Sequence, residues 1–371
     1  MYAGIEPAVR HSPSSYRMRS TPALADYAPQ RVPRSPPDTL ARVHCLEEAL
    51  KSANPSAQIE RIETHMSWVL VGDTEVLKLK KPIVSPPMDY TTVDARERNA
   101  RTELRQNRRL APGVYLGLIA LQWAEGTLSA VPEGYRSPTQ ATLDWVVVMR
   151  RLPRERMLDQ LIRRGRLRPA DLDALLAVLI PFYRDAVHAK VDEGEYVARF
   201  RHSIQLSFGL LGRAEFALPH VGELFERMEQ ATTAHEGLLR ARIGEGRIVE
   251  GHGDLRPEHV CLIDPPMVID ALEFDLRLSD VDPFDELCFL GLECEAAGDA
   301  SIGPRLIAQM GAALDDQPSG ALLHLYTARS ALMRARLSAA HLLAAKVREP
   351  ALWMPRTLVY LQIAHKALAC L

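Results

Sequence analysis

The segment Gly251-His252-Gly253-Asp254-Leu255-Arg256-Pro257-Glu258-His259 gathers more potential chemistry than the rest of the chain. Asp254 lies in a polar loop, and His259, a second potential ligand, follows five residues on. The chain then turns at Asp264-Pro265-Pro266, and the apolar run Met267-Val268-Ile269 ends in Asp270, with Glu273-Phe274-Asp275 close behind. The tripeptide His252-Gly253-Asp254 alone could be an ordinary polar turn before a strand. Together with the hairpin, however, it brings three polar groups to one edge. Phosphoryl transfer needs this grouping. A loop carboxylate can orient an acceptor hydroxyl and accept its proton, and hard oxygen ligands hold magnesium against nucleotide phosphates. Asp254 fits the first role and Asp270 the second.

The elements that must position these groups fall into two textures. After Pro36-Pro37, Asp38 is a helix N-cap, with Leu40, Val43, Leu46 and Leu50 at helical spacing. Residues 58–63, 66–71 and 75–80 read as short strands, with a turn at Gly72-Asp73. Residues 94–110 read as a charged helix, and 116–123 and 143–149 as further strands. Beyond Arg150 the pattern is helical (156–164, 169–190, 197–211, 220–243), interrupted by a β-rich island at 248–274. Helices resume at 282–297, 304–314, 321–347 and 351–369. Lys78 and Lys80 alternate with Leu77 and Leu79, so both lysines face one way from their strand. Such a lysine can pair with phosphates as a mobile point charge; the plain alternative is a solvated strand face.

Composition excludes several classes. The 371 residues give a net charge of −2, which offers no whole-chain argument for nucleic acid. No apolar run approaches the roughly 18 residues of a membrane span. Cys45, Cys261, Cys288, Cys294 and Cys370 lie far apart with no C-x-x-C pair, so reduced, buried thiols of a cytoplasmic protein are expected. No G-x-S-x-G elbow is present. The first 37 residues hold seven prolines and two acids, a composition that predicts a disordered or loosely draped tail. Residues 264–299 contain eleven acids and one base, Arg277, and are expected to form an acidic mouth that attracts metal and cationic acceptors. Residues 150–168 carry eight arginines and read as a solvated helix face.

Taken in order along residues 40–345, these motifs resemble the aminoglycoside phosphotransferase-like group of the protein-kinase-like fold. The resemblance is closest to a bacterial branch often fused to a separate P-loop ATPase domain; no P-loop occurs here. That group's catalytic loop reads H-G-D-x-x-x-x-N, and an Asp follows after one hairpin. His252-Gly253-Asp254, His259 in the Asn place and Asp270 match it. The resemblance implies an α+β, two-lobed fold with a small β-rich lobe and a larger helical one. The divisions are a tail at 1–38, a nucleotide-binding lobe at 39–147 and a catalytic lobe at 148–371. It implies Asp254 as the catalytic carboxylate, Asp270 as the main magnesium ligand, and His259 beside it. His259 is a departure, because an imidazole nitrogen suits magnesium less well than an amide oxygen.

The resemblance also assigns the phosphate lysine to Lys78, with Lys80 the same-face alternative. Its partner is Glu103, within a segment very like E-x-x-x-N-R-R-L-A-P, with Glu97 competing. Ser67, in the hairpin that stands for a glycine-rich loop, could touch phosphates. Val148 and Met149 would present backbone to the adenine edge. Asp282-Pro283-Phe284-Asp285-Glu286-Leu287 looks like the group's D-x-x-x-D-L helix start, in which an Asp braces the catalytic loop. For Asp282 and Asp285 a structural role is preferred, since capping alone explains them. The implied activity is ATP- and Mg2+-dependent transfer of the γ-phosphate to a hydroxyl of a small aminoglycoside- or sugar-like acceptor. The alternative is a catalytically weak or inactive kinase-like nucleotide-binding scaffold.

Overall fold

The computed structural model describes residues 36–85, 88–344, 347 and 349–371. Residues 1–35 of the expected N-terminal tail lie outside the described residues. The chain begins with α1 (Thr39–Ala53), and Asp38 caps it by accepting from Ala41 N–H at 2.8 Å. Next come β1 (Glu60–Glu63), β2 (Ser67–Val71), β3 (Glu75–Lys80), the two-residue strands β4 (Val84–Ser85) and β5 (Met88–Asp89), and α2 (Val93–Asn107). β6 (Tyr115–Ala124), β7 (Thr127–Pro132) and β8 (Ala141–Arg150) complete an antiparallel sheet of order β1-β2-β3-β8-β6-β7.

Alternation along these strands dictates what each face covers. Leu77, Leu79, Leu121 and Val146 pack with Val43 and Leu46 of α1 on one face. Ala120, Trp145 and Val147 pack with Ala100 and Leu104 of α2 on the other. Lys78 and Lys80 are out of phase with Leu77 and Leu79, and so stand on the α2 side.

The helical part contains α3 (Leu158–Arg163), α4 (Pro169–Arg184), α5 (Glu193–Leu211) and α6 (Val221–Gly244). The island between α6 and the next helix holds β9 (Val249–Glu250), β10 (Val260–Cys261), β11 (Met267–Val268) and β12 (Asp280–Val281), paired as β10–β11 and β9–β12. Then follow α7 (Pro283–Ala297), α8 (Ile302–Leu314), α9 (Gly320–Ala340) and α10 (Pro350–Leu368). One core, including Leu175, Leu179, Leu255, Val260, Val268 and Leu287, lies directly under the island. A second joins α5, α6, α9 and α10.

Several elements differ from expectation for identifiable reasons. β7 carries no strong strand signal; it exists because Glu125 and Gly126 (φ 49° and 80°) turn the chain back on β6. α4 stops at Arg184 instead of 190, because Ala189 N–H donates to Ile248 O at 2.9 Å and the segment joins β9. α9 ends at Ala340 rather than 347, with a 3-10 turn at His341–Leu343. Four cysteines are buried as expected, but Cys370 is exposed. Among the described residues no helix is long and apolar enough to cross a membrane.

Candidate active site

The phase of α2 selects the acid that meets the lysine strand. Asn99, Ala100, Glu103, Leu104 and Asn107 share its buried face. Glu103 is fully buried, and Lys78 Nζ lies 2.7 Å from its Oε1. Glu97 lies off that face and instead pairs with Arg101 at 2.8 Å. Burial pushes the Glu103 carboxyl up, against the pull of Lys78 and Lys80. Burial also opposes charge on Lys78, but Asp270, Glu103 and Glu273 together hold its ammonium well above the ordinary value.

Lys78 reaches across to the island as well, with its Nζ 2.9 Å from Asp270 Oδ1. Lys78 is the main reason the Asp270 carboxyl sits well below the usual range, and it outweighs burial. Asp270 adopts φ 62°, a left-handed conformation that Asp tolerates better than most residues. Three backbone bonds fix the turn that follows. Asp270 N–H donates to Tyr115 Oη (3.1 Å), Ala271 N–H to Asn107 Oδ1 (2.9 Å) and Leu272 N–H to His252 O (3.0 Å).

The 251–259 loop is held from below. Glu286, on α7, accepts from the backbone N–H groups of His252 (2.9 Å) and Gly253, and from Tyr183 Oη–H (2.8 Å). Burial raises its carboxyl to about 6 despite these donors. Arg109 donates to the carbonyls of Glu250 and Gly251 and lies 4.7 Å from the centre of the Phe182 ring. Gly253 has φ 85°, and a Cβ there would meet the Leu272 side chain at 2.7 Å, so the position needs glycine on both counts. His252 is buried; its Nε2–H donates to Ile269 O (3.0 Å), and its Nδ1 accepts from Asp254 N–H (3.3 Å). Burial first, then His259, lowers its pKa to about 3, so the ring is neutral and serves as a loop clamp.

His259 stands between the two carboxylates, 3.7 Å from Asp254 Oδ2 and 3.5 Å from Asp270 Oδ2. Its Nδ1–H donates to Asp254 O (2.9 Å), which leaves Nε2 as the acceptor, and Arg256 donates to Nε2 at 2.9 Å. The lone pair a metal would need is therefore turned to a guanidinium. Arg256 also lies 3.0 Å from Asp254 Oδ2. Among the described residues no group of three or more His, Cys, Asp or Glu is arranged to hold a metal. The Asp270 carboxylate, with its side chain 45% exposed, is an oxygen donor of the kind magnesium takes while keeping waters and phosphate ligands. The residues thus fit a magnesium held by one carboxylate and a nucleotide, but not one held by His259 as it stands.

Lys78, Glu103, Asp270, His259 and Asp254 accordingly form one continuous chain of contacts. Lys80 is close, 3.9 Å from Glu103 Oε2, but its nearest partner is Glu273 at 2.5 Å. Ser67 pairs in register with Lys80, so it shares that face; it is buried, with an unpartnered Oγ.

Val148 and Met149 lie within a strand rather than in a connector. β8 runs to Arg150, and both residues are paired with β3 on one side and β6 on the other. Asp282 caps α7 and meets Arg242 and Tyr326, while Asp285 meets Arg329. Among the hydrogen bonds and ion pairs of the described residues neither reaches the 251–259 loop; the brace is the next residue, Glu286. The acidic stretch is no open mouth either. Asp270, Glu273, Asp275, Asp282, Asp285, Glu293 and Glu295 are each met by a lysine or arginine, most of them from distant elements. The sequence does not single out Asn107, Arg109, Tyr115 or Glu286, which act through backbone groups of the loops. Two signals are available: Asn107 and Arg109 belong to the Asn-Arg-Arg-Leu-Ala-Pro segment, and D-x-x-x-D-L counted from Asp282 puts its second acid, before Leu287, on Glu286.

No protein-family model matches the chain. Uncharacterized proteins of Mycobacterium tuberculosis and Mycobacterium bovis are 30% identical over 282 residues, which is 74% of this chain and 53% of theirs. The chain thus spans about half the length of these curated relatives. Among solved structures, choline kinase LicA from Streptococcus pneumoniae superposes with a TM-score of 0.50 at 12% identity, covering 90% of this chain and 100% of that one. The chain has a protein-kinase-like fold. In this kinase-like fold the six-stranded sheet with α2 forms the β-rich lobe, and the Asp254 and Asp270 loops rise from the helical lobe to meet it. A choline/ethanolamine kinase family protein from Mesorhizobium loti aligns over 88% of this chain with a TM-score of 0.48 and 13% identity.

Proposed function

We propose that the chain is an ATP-dependent phosphotransferase that moves the γ-phosphate to a hydroxyl of a small molecule, aminoglycoside- or sugar-like in class. The observation that carries this reading is Lys78, ion-paired at once with Glu103 on α2 and with Asp270 on the island. A lysine oriented by a buried acid and placed beside a metal-suited carboxylate is what a triphosphate requires. In this reading the division stays as a tail (1–38), a nucleotide-cradling lobe (39–147) and a catalytic lobe (148–371), with the nucleotide between the lobes.

Asp270 would hold Mg2+, whose charge would neutralise the phosphates. Lys78 pairs with phosphate oxygens while Glu103 keeps it in place. Asp254 orients the acceptor hydroxyl and accepts its proton, and Arg256 and the His252 and Glu286 contacts hold its loop. His259 fixes the loop through Asp254 O and becomes a ligand only if Arg256 releases its Nε2. That occupied Nε2 favours a second reading, a nucleotide-binding scaffold without turnover.

Thermal unfolding with ATP or GTP, with and without Mg2+, tests both readings. A nucleotide at one hundred times its Kd stabilises by about 2.7 kcal/mol, so the melting temperature should rise with Mg2+ and ATP. No rise with any nucleotide would sink both.

A further inference from the structure

Lys80 repeats Lys78 two residues along the same face of β3, yet it reaches a different acid. Its side chain is 7% exposed, its Nζ lies 2.5 Å from Glu273 Oε1, and the Tyr90 ring lies 5.7 Å away. Glu273 is equally enclosed, at 8%. It follows Asp270 by three residues, around the left-handed turn pinned by Tyr115, Asn107 and His252. The strand and the loop are thus joined by two rungs, Lys78–Asp270 and Lys80–Glu273, with the Glu103 carboxylate between the lysines.

The rungs are not equivalent. Asp270 is 45% exposed and lies on the side that phosphate and metal would approach, whereas the Lys80–Glu273 pair is buried away from it. A buried ion pair brings little stability over an apolar pair of the same volume, so its value lies in fixing geometry. When a phosphate takes Lys78 and a metal takes Asp270, their direct bond must break. The second rung then remains to hold the loop against the strand.

Resting on the nucleotide-and-metal reading of this site, we infer that Lys80 and Glu273 form a positioning strut. The strut keeps Lys78 and Asp270 addressed to one phosphate–metal group after their own bond opens. Lys80 is then not a phosphate ligand, and neither residue contacts the reacting atoms.

The test is calorimetric titration of ATP into the full chain with Mg2+ and with EDTA, for wild type, Glu273→Gln and Lys80→Met. The readout is the factor by which Mg2+ tightens ATP binding. In both variants this factor should fall about tenfold, equivalent to ~1.4 kcal/mol, while affinity in EDTA stays near wild type. Glu273→Asp, which keeps the charge with a shorter reach, should recover part of it. Variants that lose melting temperature but keep the full Mg2+ factor overturn the strut and leave only a packing role. Should Glu273→Gln not fold, Lys80→Met and Glu273→Asp decide the matter on the same readout. A wild type that binds no ATP in either buffer overturns the site reading itself, and the strut with it. A wild type that responds to Mg2+ alongside variants that respond equally overturns the strut alone.

Discussion

Asp254→Asn is expected to lower turnover by a factor of about 100 to 10,000, the usual contribution of a positioned general base. ATP affinity should change little, because Asp254 pairs with Arg256 and His259 and contacts neither Lys78 nor Glu103 among the ion pairs of the site. The fold should survive. Asn is close in volume, and the loop is held through the backbone of His252 and Gly253 by Glu286, not by the Asp254 carboxylate. Steady-state kinetics with a separate ATP titration checks this. A loss below about tenfold, ~1.4 kcal/mol, would argue against the assignment.

Asp270→Asn is expected to abolish most of the Mg2+ dependence of nucleotide binding, by about tenfold or more, because a neutral amide loses the charge that holds a hard divalent ion. Turnover should fall with it. The substitution also removes one of the two acids on Lys78, so ATP binding in EDTA should persist or strengthen as the ammonium becomes free for phosphate. This opposite movement of the metal-dependent and metal-free affinities separates loss of a ligand from general damage. Calorimetry in Mg2+ and in EDTA reads both; parallel loss in the two buffers would contradict the role given to Asp270.

The parts of the site visible in the sequence are those where a side chain acts on a side chain within a regular element. The alternation of Leu77 to Lys80 puts both lysines on one face, and the helical phase of α2 puts Glu103 opposite them. The meeting of Lys78 with Asp270 follows from motif order and is present as an ion pair. What stays hidden acts through the backbone or across long separations. Glu286 braces the loop by accepting N–H groups, and its carboxyl alone does not separate it from Asp285 beside it; only the spacing from Asp282, which puts the second acid of D-x-x-x-D-L on Glu286, does so. Asn107 and Tyr115 read the amides of Asp270 and Ala271 from more than 150 positions away. Many acids of 264–299 look free in sequence because most of the bases that pair with them come from distant elements, β3, α6, α9 and α10.

This site is expected to transfer phosphate rather than merely bind nucleotide. Phosphorus-31 NMR of ATP and Mg2+ with the protein and a panel of hydroxylated acceptors tests it directly, with Asp254→Asn as the control. ADP and a new phosphomonoester signal are expected with wild type and neither with the variant. ATP left intact across the panel by a protein that binds it, or equal conversion by wild type and Asp254→Asn, would contradict it.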